Sequence, residues 1–525
     1  MTVAIRRSDA PRRRGRTMAG TAVAAPGRDL ARLLAEAVPG ARTPRGALPR
    51  ITALAADSRR VLPGTLFLAI PGVKEDGARY AADAARRGAS AVVAERPLTL
   101  PVPVVVVPDI RAAAAGLAAA FHGHPARALQ TAGVTGTKGK TTTAFLLHAV
   151  LARAGLRPGL LGTVEYRVGE RRLPAPNTTP GPLELHALLA AMRDEGCRHA
   201  VMEVSSHALV QQRVRGIAFR VGILTNLDRD HLDYHGTWEA YREAKGLLFS
   251  SLGEDAVACV NDDDGSADWF ASRTRARVLR YGFGPKAQIG CEDLELGPEG
   301  STFTLRLEGR RFPVRTLLLG RHNIENLLSA AAGALGLGLP ADALAPGLAS
   351  LSGVPGRLER VDDGTRGFRV VVDYAHTADS LRRVLGFLRP VTPGRLLVLG
   401  GCGGDRDPTK RPLMAAAMAE LADEAVFTSD NPRTEDPLAI LREMTAGVPP
   451  EAPVTVVPDR REAIRRVVSR ARPGDTVLLA GKGHETCQVL GDRTVPFDDR
   501  EEARRALRSL PVAPPGGTGE APWTR

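Results

Sequence analysis

The chain of 525 residues lacks long apolar runs and has few cysteines. No apolar run reaches the roughly 18 residues that a membrane-spanning helix needs, so we expect no membrane insertion. The five cysteines are scattered from Cys197 to Cys487, an odd number without the close spacing of a metal motif or a disulfide framework. We therefore expect reduced thiols and a cytoplasmic location.

Aromatic residues are also scarce, at 4% of the chain, although the net charge is +13. Proteins that bind single-stranded nucleic acid combine a positive groove with aromatic side chains on which the bases stack. Here the aromatic residues are not clustered with the basic ones, and Met1–Arg16 alone holds six arginines. We expect no nucleic-acid partner, a disordered basic leader over residues 1–27, and a disordered tail over residues 511–525.

Lysine is the rarest of the charged residue types. Arginine supplies all but seven of the 71 basic residues. A lysine that remains is a candidate for a role that requires a compact ammonium or a reactive amine, which a guanidinium does not provide. Four of the seven fall within the motifs described below: Lys138, Lys140, Lys245 and Lys482.

The stretch Gly133–Thr143, G-V-T-G-T-K-G-K-T-T-T, is the strongest functional signal. It lies between an apolar run that predicts a strand, Ala128–Val134, and a pattern that predicts a helix, Ala144–Ala152. A glycine-rich turn that opens a helix presents backbone N–H groups and positive partial charge to an anion. Lys140 can reach the phosphates and Thr141 can ligate Mg²⁺, so the sequence predicts a nucleoside triphosphate site.

The remaining pattern predicts an α/β protein of three domains, because strand-like runs alternate with helical ones. We expect a small α/β domain at 28–128 and a central nucleotide-binding domain with a mostly parallel sheet at 129–353. We expect a Rossmann-like α/β domain at 354–510. Its candidate strands each lead into a glycine- or charge-bearing loop, where ligands bind in open α/β sheets.

Oxygen-bearing side chains follow two strands of the central block. Glu203 ends an apolar strand, where a carboxylate could hold Mg²⁺ beside the triphosphate. The loop T-N-L-D-R-D-H-L-D-Y-H, Thr225–His235, follows the next strand. Its two histidines could suggest zinc, but no cysteine lies near them and the surrounding residues are rich in oxygen, so Mg²⁺ or Mn²⁺ fits better.

Together these motifs carry a family resemblance. G-T-K-G-K-T-T, E-V-S-S-H-A-L, T-N-L-D-R-D-H-L-D-Y-H-G-T, Y-R-E-A-K, R-H-N-I-E-N, Y-A-H-T and G-K-G-H-E occur in this order. The chain resembles the Mur ligases, the ATP-dependent amide ligases of peptidoglycan synthesis, and most closely their diaminopimelate-adding MurE type. The resemblance covers roughly Leu54 to Arg504.

The resemblance implies three domains, for the UDP-sugar, for ATP and for the incoming amino acid. It implies that ATP phosphorylates a terminal carboxylate to an acyl phosphate, which the amine of the amino acid then attacks. The implied small molecules are UDP-muramoyl-dipeptide, diaminopimelate, ATP and Mg²⁺. We expect a monomer.

Motif matches with the family imply residue roles near ATP. The phosphate loop would comprise Gly136, Thr137, Lys138, Gly139, Lys140, Thr141 and Thr142. Thr141, Glu203 and His231 match metal ligands, and Lys245 matches a lysine that is carbamylated to an oxygen ligand (N6-carboxylysine). Lys140, Glu203, His231 and Lys245 are the expected catalytic residues. Asn323 and Glu325 match the adenine side, while Arg357 and His376 match residues that close the third domain over ATP.

Other matches imply contacts with the two remaining substrates. Ser58 matches a UDP contact, and the expected contacts of the muramoyl-dipeptide are Thr178, Thr179, Ser205, Gln211 and Arg213. The motif D-N-P-R accompanies diaminopimelate in the family. A guanidinium suits the distal carboxylate that lysine lacks, and an acid suits the distal ammonium. The expected contacts are Arg406, Asp430, Asn431, Pro432, Arg433, Gly481 and Glu485.

Two residues depart from the usual family pattern: Ala378 stands where proline is common, and Gly246 stands where bulkier residues are common. Two rival classes share parts of the pattern. A related amide ligase, such as a lysine-adding Mur ligase or folylpolyglutamate synthase, would share the ATP core. A phosphate-loop nucleic-acid ATPase would exploit the positive charge, but it should show aromatic stacking residues.

Overall fold

The computed structural model describes residues 27–72, 75–297, 299–362 and 364–511. The predicted leader and tail fall almost entirely on residues 1–26 and 512–525, outside the described residues. The chain forms two compact units, and the second begins at Pro125. Within the described residues no helix is long and apolar enough to cross a bilayer.

The first unit is a small α/β body around a four-stranded parallel sheet in the order β3-β4-β5-β6, with a separate β1–β2 ribbon. Its apolar strand runs are buried on both faces, as parallel sheets covered by helices require. Its elements are β1 (Arg28–Asp29), β2 (Arg50–Ile51), β3 (Ala53–Ala55), β4 (Thr65–Leu68), β5 (Ala89–Ala94), β6 (Val104–Val106), α1 (Leu30–Ala37), α2 (Ala81–Arg86) and α3 (Ile110–Phe121).

The second unit contains the central region, built on an eleven-stranded sheet. Its strands are β7 (Gln130–Thr135), β8 (Pro158–Leu161), β9 (Glu165–Val168), β10 (Arg171–Pro174), β11 (His199–Glu203), β12 (Val221–Leu224), β13 (Val257–Asn261), β14 (Arg277–Gly282), β15 (Ile289–Gly297), β16 (Gly300–Leu307) and β17 (Arg310–Thr316). Its helices are α4 (Lys140–Arg153), α5 (Pro182–Asp194), α6 (Ser206–Val210), α7 (Leu232–His235), α8 (Trp238–Ser250), α9 (Ala267–Ser272), α10 (Arg321–Gly336) and α11 (Leu344–Leu348).

The order of the central sheet places the phosphate-loop strand in its middle. The order is β10-β9-β8-β11-β7-β12-β13-β14-β15-β16-β17, and β7 pairs in parallel with both β11 and β12. The carboxyl ends of these three strands therefore meet at one edge of the sheet, where open α/β sheets bind ligands. Antiparallel strands extend the sheet at both ends, as β9–β10 and β15–β17.

Helix α4 begins at Lys140, earlier than the apolar pattern from Ala144 predicts. The first turn, Lys140–Thr143, is polar in composition, so hydrophobic periodicity does not reveal it. Its threonines are nevertheless buried, because the loop and the neighbouring strands cover them. The helix thus starts directly at the loop, with Gly139 as its N-cap in the left-handed region.

The C-terminal region of the second unit has a six-stranded sheet in the order β18-β19-β23-β20-β21-β22, parallel except for β18. The six strands are β18 (Glu359–Arg360), β19 (Arg369–Asp373), β20 (Leu396–Gly400), β21 (Glu424–Phe427), β22 (Val454–Val456) and β23 (Thr476–Ala480). A separate antiparallel pair comprises β24 (Cys487–Leu490) and β25 (Arg493–Pro496). Its helices are α12 (Ala378–Leu388), α13 (Lys410–Leu421), α14 (Pro437–Thr445), α15 (Arg460–Ser469) and α16 (Asp499–Ser509).

Apolar side chains from each large sheet pack against helices on both of its faces, giving two core clusters per region. The predicted α/β class and the mostly parallel central sheet are confirmed by this topology. The predicted residue boundaries of the three domains stay a prediction.

Candidate active site

The phosphate loop, Gly136–Gly139, connects β7 to α4 and depends on its two glycines. Gly136 and Gly139 have φ values of +145° and +83°, which L side chains rarely adopt. A Cβ at Gly136 would lie 1.9 Å from Oγ1 of Thr225, and one at Gly139 would lie 2.3 Å from Oδ1 of Asn326. Close packing of the loop against its neighbours therefore excludes other residues at both positions.

Two lysines converge on this loop. Nζ of Lys140 donates to the carbonyl oxygens of Gly136 (2.8 Å) and Thr137 (2.9 Å), and Nζ of Lys245 donates to the same Gly136 oxygen (2.7 Å). Lys245 is buried, and its ammonium also lies over the ring of Tyr241. Burial, reinforced by Lys140, holds the pKa of Lys245 well below its ordinary value. Burial also lowers the pKa of Lys140, while Glu203 and Asp230 oppose that shift.

Glu203, at the end of β11, is buried among hydroxyl groups. Its Oε2 accepts hydrogen bonds from Oγ1 of Thr141 (3.0 Å) and Oγ1 of Thr163 (3.1 Å), and its Oε1 accepts one from N–H of Thr163 (2.8 Å). Gly162 leaves room for this carboxylate, since a Cβ there would lie 2.6 Å from Oε1. The carboxylate is thus fixed beside the first turn of α4.

The loop after β12 packs along the phosphate loop. Asn226 accepts a hydrogen bond from N–H of Lys138 (3.0 Å), and Thr137 donates its hydroxyl to the carbonyl oxygen of Asp228 (3.2 Å). His231 has φ of +53° and caps α7, where its N–H donates to Asp230 (2.9 Å). The loop therefore carries Asp230 and His231 into the same cavity as the lysines.

A group of aromatic rings continues outward from His231. The His207 ring centroid lies 5.0 Å from that of His231 and 4.1 Å from that of Tyr234. Nε2 of His235 lies 3.0 Å from the Ser206 hydroxyl. Burial lowers the pKa of His207 to about 4, and His231 and His235 add to the effect.

The residues predicted to contact the muramoyl-dipeptide form one hydrogen-bonded network. Oγ1 of Thr179 donates to the carbonyl oxygen of Glu203 (2.8 Å) and accepts from N–H of Ser205 (3.1 Å). Arg213 donates to the Thr179 carbonyl (2.8 Å) and to Oε1 of Gln211 (2.8 Å). Thr178 joins the network because its hydroxyl lies 3.1 Å from that of Thr163.

Residues of α10 and of the C-terminal region complete the opposite wall. Asn323 is buried at the start of α10 and donates to the Leu319 carbonyl oxygen (2.8 Å). Arg357 lies over the ring of Tyr374, and its Nη2 is 3.5 Å from Oγ1 of Thr141. Asp373 accepts hydrogen bonds from N–H of Leu358 and of Ala375, both at 2.8 Å. It thereby ties together the segments that carry Arg357 and His376.

A cavity of about 430 Å³ lies between the central and C-terminal regions of the second unit. It brings together most of the predicted ATP and metal residues and two of the predicted dipeptide residues: Thr137, Lys138, Gly139, Lys140, Thr141, Thr142, Thr178, Glu203, Ser205, His231, Lys245, Asn323, Glu325, Arg357 and His376. Outside its lining are Gly136, Thr179, Gln211, Arg213 and the predicted amino-acid residues Arg406, Asp430, Asn431, Pro432, Arg433, Gly481 and Glu485.

Ser58 belongs to the first unit. It opens a short 3₁₀ helix, Ser58–Arg60, just after β3 and is buried. Its hydrogen bond to Asp83 holds the pKa of that carboxyl below its usual value. The position at the carboxyl end of a parallel strand is where such sheets bind ligands.

A charged network links the phosphate loop to α12. Lys138 contacts the carboxylates of Asp379 and Asp228, and Arg383 donates to Asp228 at 2.6 Å. Arg383 also lies 3.4 Å from Asp379 on its own helix. The four alternating charges join the central region to the C-terminal region beside the cavity.

The D-N-P-R segment forms a second cluster, at the carboxyl ends of β21 and β23. Nδ2 of Asn431 donates to Oε2 of Glu485 (2.9 Å). Nη1 of Arg433 donates to the carbonyl oxygens of Gly404 (2.7 Å) and Asn431 (3.4 Å). Asn431 therefore binds the Arg433 guanidinium through its backbone carbonyl and the Glu485 carboxylate through its side-chain amide.

The remaining residues of this cluster shape its loops. Arg433 has φ of +51°, and Gly481, with φ of +110°, leaves room for Asp430, whose Oδ2 would lie 2.9 Å from a Cβ at Gly481. Pro432 is buried beside Gly404. Arg406 is exposed, and its Nη1 donates to the Asp405 carbonyl oxygen (3.3 Å).

The two departures from the family pattern have local explanations. Ala378 is the first residue of α12, and a capping box between Thr377 and Ser380 stabilises that helix start. Gly246 faces Trp269, whose Cη2 would lie 2.8 Å from a Cβ at position 246. The indole fills the space that a larger residue would occupy.

The donor set suits a hard cation such as Mg²⁺. Thr141 and Glu203 offer adjacent oxygens at the first turn of α4. In the described part of the chain no group of three or more His, Cys, Asp or Glu side chains is arranged to hold a metal by itself. Such an arrangement fits Mg²⁺, which is typically bound by one or two carboxylates together with substrate phosphates.

The cavity also holds residues that the sequence did not reveal, notably Thr163, Asn226, Asn326 and Arg383. Asn226 lies within the motif Thr225–His235, which could have indicated its place in the site. Asn326 follows Glu325 in R-H-N-I-E-N and could have been found in the same way. Thr163 and Arg383 lie outside the recognised motifs and carried no signal.

Comparisons with known proteins show to which family the chain belongs. Models of the Mur ligase family catalytic domain, the Mur ligase middle domain and the Mur ligase glutamate ligase domain match residues 50–122, 134–334 and 356–483. The chain is 48% identical over 478 residues, 90% of this chain and 98% of the relative, to UDP-N-acetylmuramoyl-L-alanyl-D-glutamate–2,6-diaminopimelate ligase of Geobacillus thermodenitrificans. The enzyme of the same name from Solibacter usitatus is 46% identical over 476 residues, 90% of this chain and 96% of that protein.

Solved structures agree as well. A structure of UDP-N-acetylmuramoyl-L-alanyl-D-glutamate–2,6-diaminopimelate ligase is similar with a TM-score of 0.63 and 36% identity, covering 87% of this chain and 95% of that one. Folylpolyglutamate synthase of Mycobacterium tuberculosis has a TM-score of 0.60 at 19% identity, with 76% and 95% covered, and so shares the fold. With three family models in sequence order and relatives matched along nearly their whole length, the chain belongs to the Mur ligase family.

Proposed function

We propose that this protein is the ATP-dependent ligase that joins diaminopimelate to UDP-N-acetylmuramoyl-L-alanyl-D-glutamate in peptidoglycan precursor synthesis. Relatives that bear this name match the chain at 44–48% identity over most of its length. The observation that carries the choice of amino acid is the placement of Arg433 and Glu485 on either side of Asn431. A distal carboxylate and a distal ammonium are the groups by which diaminopimelate differs from a simple amino acid, and these two charges match them.

ATP would bind with its phosphates on the loop Gly136–Gly139 at the N-terminus of α4. The loop N–H groups and the positive end of the helix favour an anion there. In the present arrangement Lys140 donates to loop carbonyls, so binding requires its ammonium to exchange those carbonyl contacts for phosphate oxygens. Asn323 and Glu325 line the cavity at the start of α10 and would meet the nucleoside part.

Thr141, Glu203 and His231, with a carbamate on Lys245, would hold Mg²⁺. When bound, that ion offsets the negative charge of the phosphates and of the carboxylate that must approach them. Lys245 becomes an oxygen ligand when its neutral amine adds to CO₂, forming an N–C bond and releasing one proton. Its buried position and lowered pKa favour that neutral amine.

The reaction would proceed in two steps, phosphoryl transfer and then amide formation. A carboxylate oxygen of the dipeptide attacks the γ-phosphorus, and the bond from that phosphorus to the ADP oxygen breaks, leaving an acyl phosphate and ADP. The amine of the amino acid then attacks the acyl carbon, loses a proton, and expels phosphate as the amide forms. The contribution of the chain is to orient these groups and to exclude water between the two regions, since water would hydrolyse the acyl phosphate.

The network of Thr178, Thr179, Ser205, Gln211 and Arg213 would receive the dipeptide. It is joined to Glu203 through the Thr179 hydroxyl and through Thr163, so the dipeptide site and the phosphate site share one set of hydrogen bonds. Ser58 of the first unit would contact the UDP group. We further propose that the enzyme acts in the cytoplasm as a monomer, without nucleic acid.

The decisive experiment measures ADP release and product mass with UDP-N-acetylmuramoyl-L-alanyl-D-glutamate and one amino acid at a time. We expect amide product with diaminopimelate and at most about a hundredth of that kcat/KM with lysine, because lysine has no distal carboxylate to pair with Arg433. Equal use of lysine would contradict the assigned amino acid. Turnover that depends on added single-stranded DNA would contradict the ligase assignment altogether.

A further inference from the structure

Lys482 is a fully buried lysine in a chain that otherwise uses arginine for nearly all of its basic residues. Its side chain has 0% exposure, and it is one of only seven lysines among 71 basic residues. Burying a charge without partners is costly, so a buried ammonium is kept only where specific acceptors surround it. The groups that accept hydrogen bonds from Lys482 therefore indicate its role.

Two of those acceptors belong to the predicted amino-acid site. Nζ of Lys482 donates to Oε2 of Glu485 (2.9 Å) and to Oδ1 of Asn431 (3.1 Å). Nδ2 of Asn431 donates to the same Glu485 oxygen (2.9 Å). The three side chains close a triangle in which the ammonium contacts both others.

This triangle fixes the orientation of Asn431. Its Oδ1 accepts from Lys482 and from N–H of Val489 (3.0 Å), so both lone pairs of that oxygen are used. The amide nitrogen is therefore left to face Glu485. Because the backbone carbonyl of Asn431 accepts from Arg433 (3.4 Å), the same residue also positions the guanidinium.

The triangle also orients Glu485. Both hydrogen bonds from Lys482 and Asn431 go to Oε2. Within the described residues Oε1 accepts no hydrogen bond, and the side chain is 30% exposed. One carboxylate oxygen is thus held by the protein while the other stays available to a cation from outside.

The local backbone explains how the side chain of Lys482 reaches Asn431 and Glu485 from the protein interior. Gly481 and Gly483 flank Lys482 with φ values of +110° and +53°. A Cβ at Gly483 would lie 2.7 Å from the Cβ of Tyr374, so the loop packs too closely for a side chain there. The turn directs the Lys482 stem into the protein, where a planar and larger guanidinium would need different acceptor geometry.

We propose that Lys482 is a positioning residue that sets the affinity for the incoming amino acid by orienting Glu485 and Asn431. The inference rests on the proposed function, because it assigns Glu485 to the distal ammonium of a zwitterionic substrate end. Lys482 does not touch that substrate end. It keeps one oxygen of Glu485 occupied, so that the other meets the substrate in a defined direction.

The test compares Lys482→Met, Glu485→Gln and the double variant with wild-type enzyme and with Lys286→Met. Lys286 is exposed and lies in the central region, so its variant controls for loss of a lysine charge. KM and kcat are measured for diaminopimelate, ATP and UDP-muramoyl-dipeptide in turn. We expect Lys482→Met to raise KM for diaminopimelate about 10- to 100-fold, as for other small misplacements of a binding group, with the other two KM values unchanged.

The double variant separates positioning from a merely structural role. It also removes the unpaired carboxylate that could unfold Lys482→Met alone. If Lys482 acts through Glu485, the rise in KM for diaminopimelate in the double variant is far smaller than the product of the two single rises. Multiplicative effects, an unchanged KM for diaminopimelate, or equal rises in all three KM values would overturn the inference. If wild-type enzyme makes no product with diaminopimelate, it is the proposed function that fails.

Discussion

Lys140 and Lys245 donate to the same carbonyl oxygen, that of Gly136, at 2.8 and 2.7 Å. Two ammonium groups on one acceptor repel each other, so the arrangement favours a neutral amine on one of them. Burial lowers the pKa of both lysines. The repulsion from Lys140 adds to the shift of Lys245, whereas Glu203 opposes only the shift of Lys140 and Asp230 opposes both shifts. We therefore expect the neutral amine on Lys245 and the ammonium on Lys140.

The first prediction concerns a carbamate on Lys245. Because a lowered pKa leaves the amine neutral at lower pH than a free lysine, we expect it to react with CO₂ near neutral pH. Incubation with ¹³C-bicarbonate should give a carbamate carbon signal in NMR spectra at pH 7.5 that disappears on acidification. Lys245→Ala should lose the signal, and its kcat should fall at least about 100-fold because a proposed metal ligand is lost.

A small added carboxylate should restore part of the activity of Lys245→Ala by supplying the missing oxygen ligand. Lys286→Ala, at an exposed lysine, serves as control and should keep both the signal and the activity. Full activity of Lys245→Ala without additives would exclude the carbamate role.

The second prediction concerns Thr163, whose hydroxyl contacts both Glu203 (3.1 Å) and Thr178 (3.1 Å). Thr163→Val keeps the shape and the N–H bond to Glu203 but removes the hydroxyl. We expect kcat to fall about 10- to 100-fold, because one hydrogen bond to a charged group is worth about 1.5–3 kcal/mol. Thr163→Ser retains the hydroxyl and should stay within about twofold of wild type in the same steady-state assay. Equal losses in both variants would point to packing instead.

The third prediction concerns the charged network between the phosphate loop and α12. Arg383→Ala removes the 2.6 Å contact with Asp228. This pair is half-exposed, so we expect a loss in kcat/KM for ATP of only about 2- to 5-fold, shrinking further at high salt. The charge exchange Asp228→Arg with Arg383→Asp should recover part of the loss. If the exchanged variant is less active than either single variant, the pairing contributes nothing to activity.

The fourth prediction concerns pH and His148 on α4, away from the cavity. Burial, with help from Arg167, lowers the pKa of His148 from 6.5 to about 4. Between pH 6.5 and 4 the unfolded chain takes up a proton at this position while the folded one does not, so stability falls as the pH falls. Above pH 7 both states are neutral and the contribution vanishes.

Thermal unfolding of wild type and His148→Gln should reveal this linkage. At pH 8, the difference in Tm between wild type and His148→Gln reflects only the change in side-chain packing. As the pH is lowered to 5, the Tm of His148→Gln should decline less steeply than that of wild type. Parallel Tm curves for the two proteins over this range would show that His148 protonates equally in both states.

Much of the fold was readable from local pattern. Buried parallel strands are continuous apolar runs, and the predicted strand at Ala128–Val134 overlaps most of β7. The hairpin β9–β10 was missed, because segments such as Arg171–Pro174 are short and polar and have no distinctive period. The strands β15–β17 were missed for a related reason, since half of their side chains face solvent.

The sequence by itself indicated the chemistry of this protein, because the phosphate loop is a local motif and the D-N-P-R segment resembles that of the diaminopimelate-adding Mur ligases. Only the tertiary structure decided which distant groups share a partner. Thr163 meets Glu203 because β8 pairs with β11, and Lys482 meets Asn431 because the loops after β21 and β23 reach each other. Such contacts follow from strand order and packing between residues far apart in the chain, which no local pattern encodes.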